Sequence, residues 1–128
     1  MAHKILFVDD ERDLVRSAQI FLTEAGYEFE AAYDGMEALE KLEAVKPDLM
    51  VLDITMPRLN GWDVLRMMQQ DATKAEIPVL VLTAHNKDAE KARGWQLGAT
   101  WYQPKPFNFD ELLLIIGRIL EATAGPDE

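Results

Sequence analysis

Three runs of this sequence are apolar at nearly every position and then stop on an oxygen-bearing side chain. Lys4-Ile5-Leu6-Phe7-Val8 stops on Asp9-Asp10. Asp48-Leu49-Met50-Val51-Leu52 stops on Asp53, and Ile77-Pro78-Val79-Leu80-Val81-Leu82 stops on Thr83. A strand with no polar alternation needs cover on both faces, which is the habit of a parallel sheet with helices above and below. Two weaker strand patterns, Glu28 to Ala32 and Thr100 to Gln103, bring the expected number to five.

Helical patterns fill the intervals. Arg12 to Ala25 sets Leu14, Ala18, Phe21, Leu22 and Ala25 on one face before Gly26 stops it. Asp34-Gly35-Met36-Glu37 reads as an N-cap with a glutamate at N3, opening a helix to about Val45 that Pro47 breaks. Asn60 caps a helix expected to reach about Asp71. Asn86 to Leu97 is a fourth helix with a thin apolar face ending at Gly98. Asn108, with Glu111 at N3, caps a last helix to about Ala122. Alternating strands and helices of this kind make an α/β, doubly wound, five-stranded parallel sheet of (βα)5 type; a full barrel would need eight units. Residues 1–122 are expected to form one domain, and 123–128 a tail or the start of a linker.

Composition narrows the function classes. Lys and Arg number 13 against 23 Asp and Glu, a formal charge of −10, and no basic run is present. Direct nucleic-acid binding by this chain is not expected, nor is attraction to an anionic membrane. No stretch approaches the ~18 apolar residues of a membrane span. The N-terminus, Met1-Ala2-His3-Lys4, lacks the layout of a signal peptide. With no cysteine, disulfides, thiolate metal sites and cysteine nucleophiles are excluded, and a cytoplasmic location is expected.

Ligands of open parallel sheets sit beyond the carboxyl ends of the strands. Asp9, Asp10, Asp53 and Thr83 end strands there, and Lys105 follows the fifth. Three neighbouring carboxylates repel one another, and a bound hard cation relieves that repulsion. An all-oxygen donor set suits Mg²⁺, with Mn²⁺ as a substitute, far better than zinc. A carboxylate beside such a cation can attack phosphorus and form an acyl phosphate. Lys105, the Thr83 hydroxyl and the Ala84 N–H suit the oxygens of a transferred phosphoryl group. Taken singly, these residues have plainer readings. Asp9 and Asp10 could cap the first helix, and Lys105 could be a solvated lysine. His85 reads as a solvent-facing loop histidine, and Trp62 as packing on its own helix.

Taken together, the sequence resembles the receiver domain of two-component response regulators. The resemblance rests on Val8-Asp9-Asp10-Glu11, Leu52-Asp53-Ile54-Thr55-Met56-Pro57, Asn60-Gly61, Leu82-Thr83-Ala84, Gly98-Ala99, Tyr102 and Lys105-Pro106-Phe107. It spans about residues 4–122, and it is the order and spacing of the motifs that is specific. The resemblance implies strand order 2-1-3-4-5 and a Lys105–Pro106 bond in the cis form. It implies that Asp53 is the phosphoacceptor. Mg²⁺ would be bound by Asp10, Asp53 and the Thr55 backbone carbonyl, with Asp9 acting through a water. Thr83, Ala84 and Lys105 would contact the phosphoryl oxygens, and Tyr102 would be a switch aromatic coupled to Thr83. Pro104, Trp101, Thr55 and His85 depart from or vary within the family pattern.

The implied function is a signalling switch that assists its own phosphorylation and dephosphorylation, with no separate substrate to turn over. The donor would be a histidine kinase or a phosphotransfer protein. The response would reach a downstream effector protein or a fused output domain through the face made by the fourth helix, the fifth strand and the last helix. Trp95 and Trp101 lie on that face. The apolar surplus of the last helix, Leu112 to Ile116 with Ile119 and Leu120, suggests a weak dimer there. Two other readings stand beside it: a docking module that works without phosphorylation, and a Mg²⁺-dependent phosphatase with an aspartyl-phosphate intermediate. The phosphatase class usually carries an Asp-x-Asp pair and a cap, whereas Asp53 is followed by Ile54-Thr55.

Overall fold

The computed structural model describes residues 2–54, 56, 59–83 and 98–123. Five strands, β1 (Lys4–Val8), β2 (Glu28–Ala32), β3 (Leu49–Asp53), β4 (Val79–Thr83) and β5 (Trp101–Pro104), pair in parallel in the order β2-β1-β3-β4-β5. The helices among the described residues are α1 (Arg12–Glu24), α2 (Gly35–Val45), α3 (Gly61–Gln69), the one-turn α4 (Ala72–Ala75) and α5 (Phe109–Thr123). None of them is long and apolar enough to cross a membrane. The helix expected over 86–97 lies outside the described residues.

The period-two geometry of a strand explains why the central runs are apolar throughout. Leu6, Val8, Met50, Leu52, Val79 and Val81 point to one face and pack with Leu42 of α2 and Val64, Leu65 and Met68 of α3. Ile5, Phe7, Leu49, Val51, Leu80 and Leu82 point to the other and pack with Val15, Ala18 and Leu22 of α1 and Leu112, Ile116 and Ile119 of α5. Every residue of β3 and β4 is buried. Each large side chain so placed contributes roughly 1.5–3 kcal/mol relative to exposure. A polar residue inside these strands would forfeit that on one face or the other, so polar chemistry is confined to their ends.

Three helix starts follow their expected caps. Asp34 accepts from the Glu37 N–H at 2.8 Å, and the Glu37 carboxylate reaches back to the Tyr33 N–H at 2.6 Å. Asn60 and Asp63 form a reciprocal capping box, and Asn108 accepts from the Glu111 N–H.

Two expectations need correction. The buried stripe of α1 is Val15, Ala18 and Leu22, with Leu14 at its edge; Ala25 is exposed, and Phe21 is 41% exposed. Phe21 instead stacks on Phe109 at the start of α5, with centroids 4.7 Å apart and an interplanar angle of 8°. The helix from Gly61 stops at Gln69 rather than continuing to Asp71. The Asp71 side chain accepts from the Thr73 and Lys74 N–H groups and begins a new turn, α4. An aspartate that can cap the following residues competes with the helix that would run through it.

The start of α3 is pressed against the end of β3. The Gly61 N–H donates to the Ile54 carbonyl at 3.0 Å, and a Cβ at Gly61 would lie 2.7 Å from both the Asp53 carbonyl oxygen and the Ile54 Cα. Only glycine permits this approach, because the obstructing atoms are backbone. Gly61→Ala is expected to lower stability by about 1–3 kcal/mol, read as a lower urea midpoint with an unchanged slope. A midpoint equal to wild type would contradict this packing.

Candidate functional site

The sheet order places β3 between β1 and β4, so the carboxyl end of β3 is flanked by the ends of both neighbours. Backbone bonding continues past the strand ends and fixes the residues that follow. The Asp9 N–H donates to the Ala32 carbonyl at 3.1 Å, the Ile54 N–H to Leu82 at 3.1 Å, and the Lys105 N–H to Thr83 at 2.8 Å. Asp9, Asp53 and Thr83 are buried at this rim, whereas Asp10 is exposed.

Carboxylate oxygens of Asp9, Asp10 and Asp53 lie within 4.8 Å of one another. Lys105 faces them from the loop after β5. Its Nζ is 3.0 Å from Asp9 Oδ2, 3.4 Å from Glu11 Oε1 and 3.7 Å from Asp53 Oδ2. The Lys105–Pro106 peptide bond is cis. The second Asp9 oxygen accepts from the Glu11 N–H at 2.9 Å. Asp9 is therefore gripped from two sides, while Asp53 has the longest of the three contacts to the ammonium.

The electrostatics are unbalanced. At an effective dielectric of about 20, two like charges 4.8 Å apart repel by about 3 kcal/mol, and one ammonium faces several carboxylates. Burial raises the Asp9 carboxyl above its ordinary 3.8, against the lowering effect of the Glu11 N–H and of Lys105. Desolvation pulls the Lys105 ammonium down. Its hydrogen bond to Asp9 and the charges of Asp53, Asp9 and Glu11 outweigh that and hold it above its ordinary 10.5. Lys105 thus stays charged at neutral pH, and the pocket keeps excess negative charge. A cluster of hard oxygen donors in this state fits a divalent cation such as Mg²⁺.

Of the residues expected from the sequence, Asp9, Asp10, Asp53 and Lys105 are brought together, with Thr83 at the end of the adjoining strand. Thr55, Ala84, His85 and Trp95 lie outside the described residues. Tyr102 is buried on β5, and its ring lies 6.4 Å from that of Trp62, tilted by 49°. Trp62 does not pack merely on its own helix; it is buried in the cluster between α3 and the sheet. Trp101 is 50% exposed. Glu11, which the sequence marks only as part of a motif, also reaches Lys105 with its carboxylate. Its place directly after two site aspartates was the available signal.

A family model described as the response regulator receiver domain matches residues 5–117. The response regulator MprA of Mycobacterium ulcerans is 41% identical over 128 residues, covering 100% of this chain and 54% of the relative. The chain thus spans about half the length of the curated relatives it matches. Among solved structures, the Vibrio cholerae chemotaxis protein CheY4 is similar at a TM-score of 0.88 and 33% identity, covering 93% of this chain and 99% of that one. The signal receiver domain of a histidine kinase from Syntrophus aciditrophicus is similar at 0.86 and 29%, covering 94% and 92%.

The raised Asp9 carboxyl sets the sign of a stability test. A carboxyl that binds its proton more tightly when folded subtracts from stability above its folded pKa, and the cost fades as pH falls through that value. In chelator at neutral pH, Asp9→Asn is expected to melt higher than wild type by roughly a few °C, with the gain shrinking on acidification. Added Mg²⁺ should stabilise wild type more than the variant. A variant that melts lower than wild type in chelator would contradict this electrostatic picture.

Proposed function

Because the chain belongs to the response regulator receiver domain family, a family of signalling switches phosphorylated by histidine kinases, we propose that Asp53 is its phosphoacceptor and that the reaction is Mg²⁺-dependent. The observation that carries this reading is the position of Asp53. It is a buried carboxylate on the last residue of the central strand, inside an acidic cluster and 3.7 Å from a charged lysine.

The Asp53 carboxylate oxygen attacks the phosphorus of a phosphohistidine on a histidine kinase or phosphotransfer protein. The P–N bond breaks, the imidazole leaves with the electron pair, and an acyl phosphate remains. Lys105 meets one phosphoryl oxygen, and the Thr83 hydroxyl and the Ala84 N–H meet others. Mg²⁺, held by Asp10, Asp53 and the Thr55 carbonyl with Asp9 beyond a water, would supply positive charge against the phosphoryl oxygens. An open groove of about 440 Å³ lined by Glu11, Leu14, Lys105, Pro106 and Phe107 gives the donor a way to the site. Attack by water on the same phosphorus breaks the acyl O–P bond, releases inorganic phosphate and returns the free carboxylate, which resets the switch.

The gain of charge at Asp53 draws Thr83 and Lys105 toward the phosphoryl group, and Tyr102 responds. The output face includes β5 and α5. Trp101, Ile115, Ile119 and Ala122 line a largely apolar groove of about 230 Å³ there, and Leu114 is 57% exposed. Such a face suits an effector protein, a fused output domain or a second copy of the chain. The setting is the cytoplasm, where the donors act.

Intact mass after incubation with acetyl phosphate and Mg²⁺ tests the proposal. Wild type is expected to gain ~80 Da, and Asp53→Asn or wild type in chelator to gain nothing. Lys105→Met is expected to slow the gain roughly 10²-fold. No gain in wild type beside an active receiver control would favour the phosphorylation-independent docking reading.

A further inference from the structure

Trp62 connects the end of β3 to the fifth strand. Its backbone follows Gly61, which is bonded to the Ile54 carbonyl and closely apposed to the Asp53 backbone. The Asn60–Asp63 capping box holds this first turn of α3 rigid, with side-chain to N–H bonds of 3.1 and 3.3 Å. A shift of the backbone at residues 53–54 therefore carries the start of α3 with it. At the other end, the Trp62 indole is buried and lies 6.4 Å from the ring of Tyr102, which is also buried. Tyr102 pairs with Val81 on β4, two residues before Thr83. The chain of contacts is short: Asp53, Gly61, Trp62, Tyr102. Two large rings in a close-packed interior cannot slide independently, because a gap or an overlap of half an ångström costs packing energy.

We infer that Trp62 is a positioning residue for Tyr102, and that the state of Asp53 reaches β5 through the first turn of α3 as well as through Thr83. This rests on the reading of Asp53 as the phosphoacceptor. An indole gives the contact more area and less freedom than a branched aliphatic side chain would. Trp62 touches no reacting atom in this scheme, so its substitution should leave phosphoryl uptake unchanged and alter only what β5 senses.

The test uses Trp95→Phe/Trp101→Phe, which leaves Trp62 as the only indole. Its fluorescence and the intact mass are followed in one sample during incubation with acetyl phosphate and Mg²⁺. The expected result is an emission change that tracks the phosphorylated fraction. The change should be lost when Tyr102→Leu is added and kept with Tyr102→Phe. In parallel, Trp62→Ala should take up the phosphoryl group at the wild-type rate but lose the phosphorylation-dependent change in hydrogen exchange of the β5 amides. Trp62→Phe should restore that change. Full phosphorylation by mass with unchanged Trp62 emission, or an equal change with Tyr102→Leu, would overturn the inference while leaving the phosphoacceptor reading intact. Absence of phosphorylation by mass would overturn both, and the mass channel distinguishes the two failures.

Discussion

Crowded carboxylates beside one ammonium set the terms for the rest of this molecule. Asp9, Asp10 and Asp53 bring their oxygens within 4.8 Å, and Lys105 answers from the far side of the pocket. Asp9 and Asp53 are buried, so water does little to relieve them. The arrangement persists because the sheet is held elsewhere. Two apolar layers fix the strand ends, and backbone bonds from Asp9, Ile54 and Lys105 carry that order one residue beyond the strands. The negative charge left over makes the pocket receptive to a divalent cation. On the proposed reading, a phosphoryl group on Asp53 would change both the local charge and the acceptors available to Lys105.

Scaffold and site are divided by position along the same strands. In the central strands β3 and β4 every residue is buried, and the side chains before the strand ends are committed to one core layer or the other. At the carboxyl ends that commitment stops. Among the described residues there, the start of α3 is held by close backbone approach at Gly61 and by the capping side chains of Asn60 and Asp63. Buried central strands and a tightly tied first turn of α3 suit a switch in which a small local change must be felt at a distance. The contact between Trp62 and Tyr102 gives such a change a physical route.

Much of this was legible in the sequence. An apolar run ending on Asp9, Asp53 or Thr83 announces both a doubly covered strand and a polar strand end, and the caps at Asp34, Asn60 and Asn108 announce helix starts. The phase of an amphipathic helix is harder to read. Leu14 with Val15, and Phe21 with Leu22, are adjacent apolar pairs, and only the neighbouring strands decide that Val15 and Leu22 face inward while Phe21 finds Phe109. Asp71 was ambiguous because it suits both the end of one helix and the cap of another. The pairing of Trp62 with Tyr102 depends on side chains far apart in the chain, and no local pattern encodes it.

The most direct measurement is the location of the new bond. Borohydride reduces an acyl phosphate to an alcohol, so protein phosphorylated in Mg²⁺ can be trapped, digested and read residue by residue in a mass spectrometer. The expected result is the reduced side chain at position 53 alone, absent when the metal is withheld. Reduction at Asp9 or Asp10, or a phosphoryl group found on His3 or His85, would contradict the assignment of Asp53 as the residue around which this site is built.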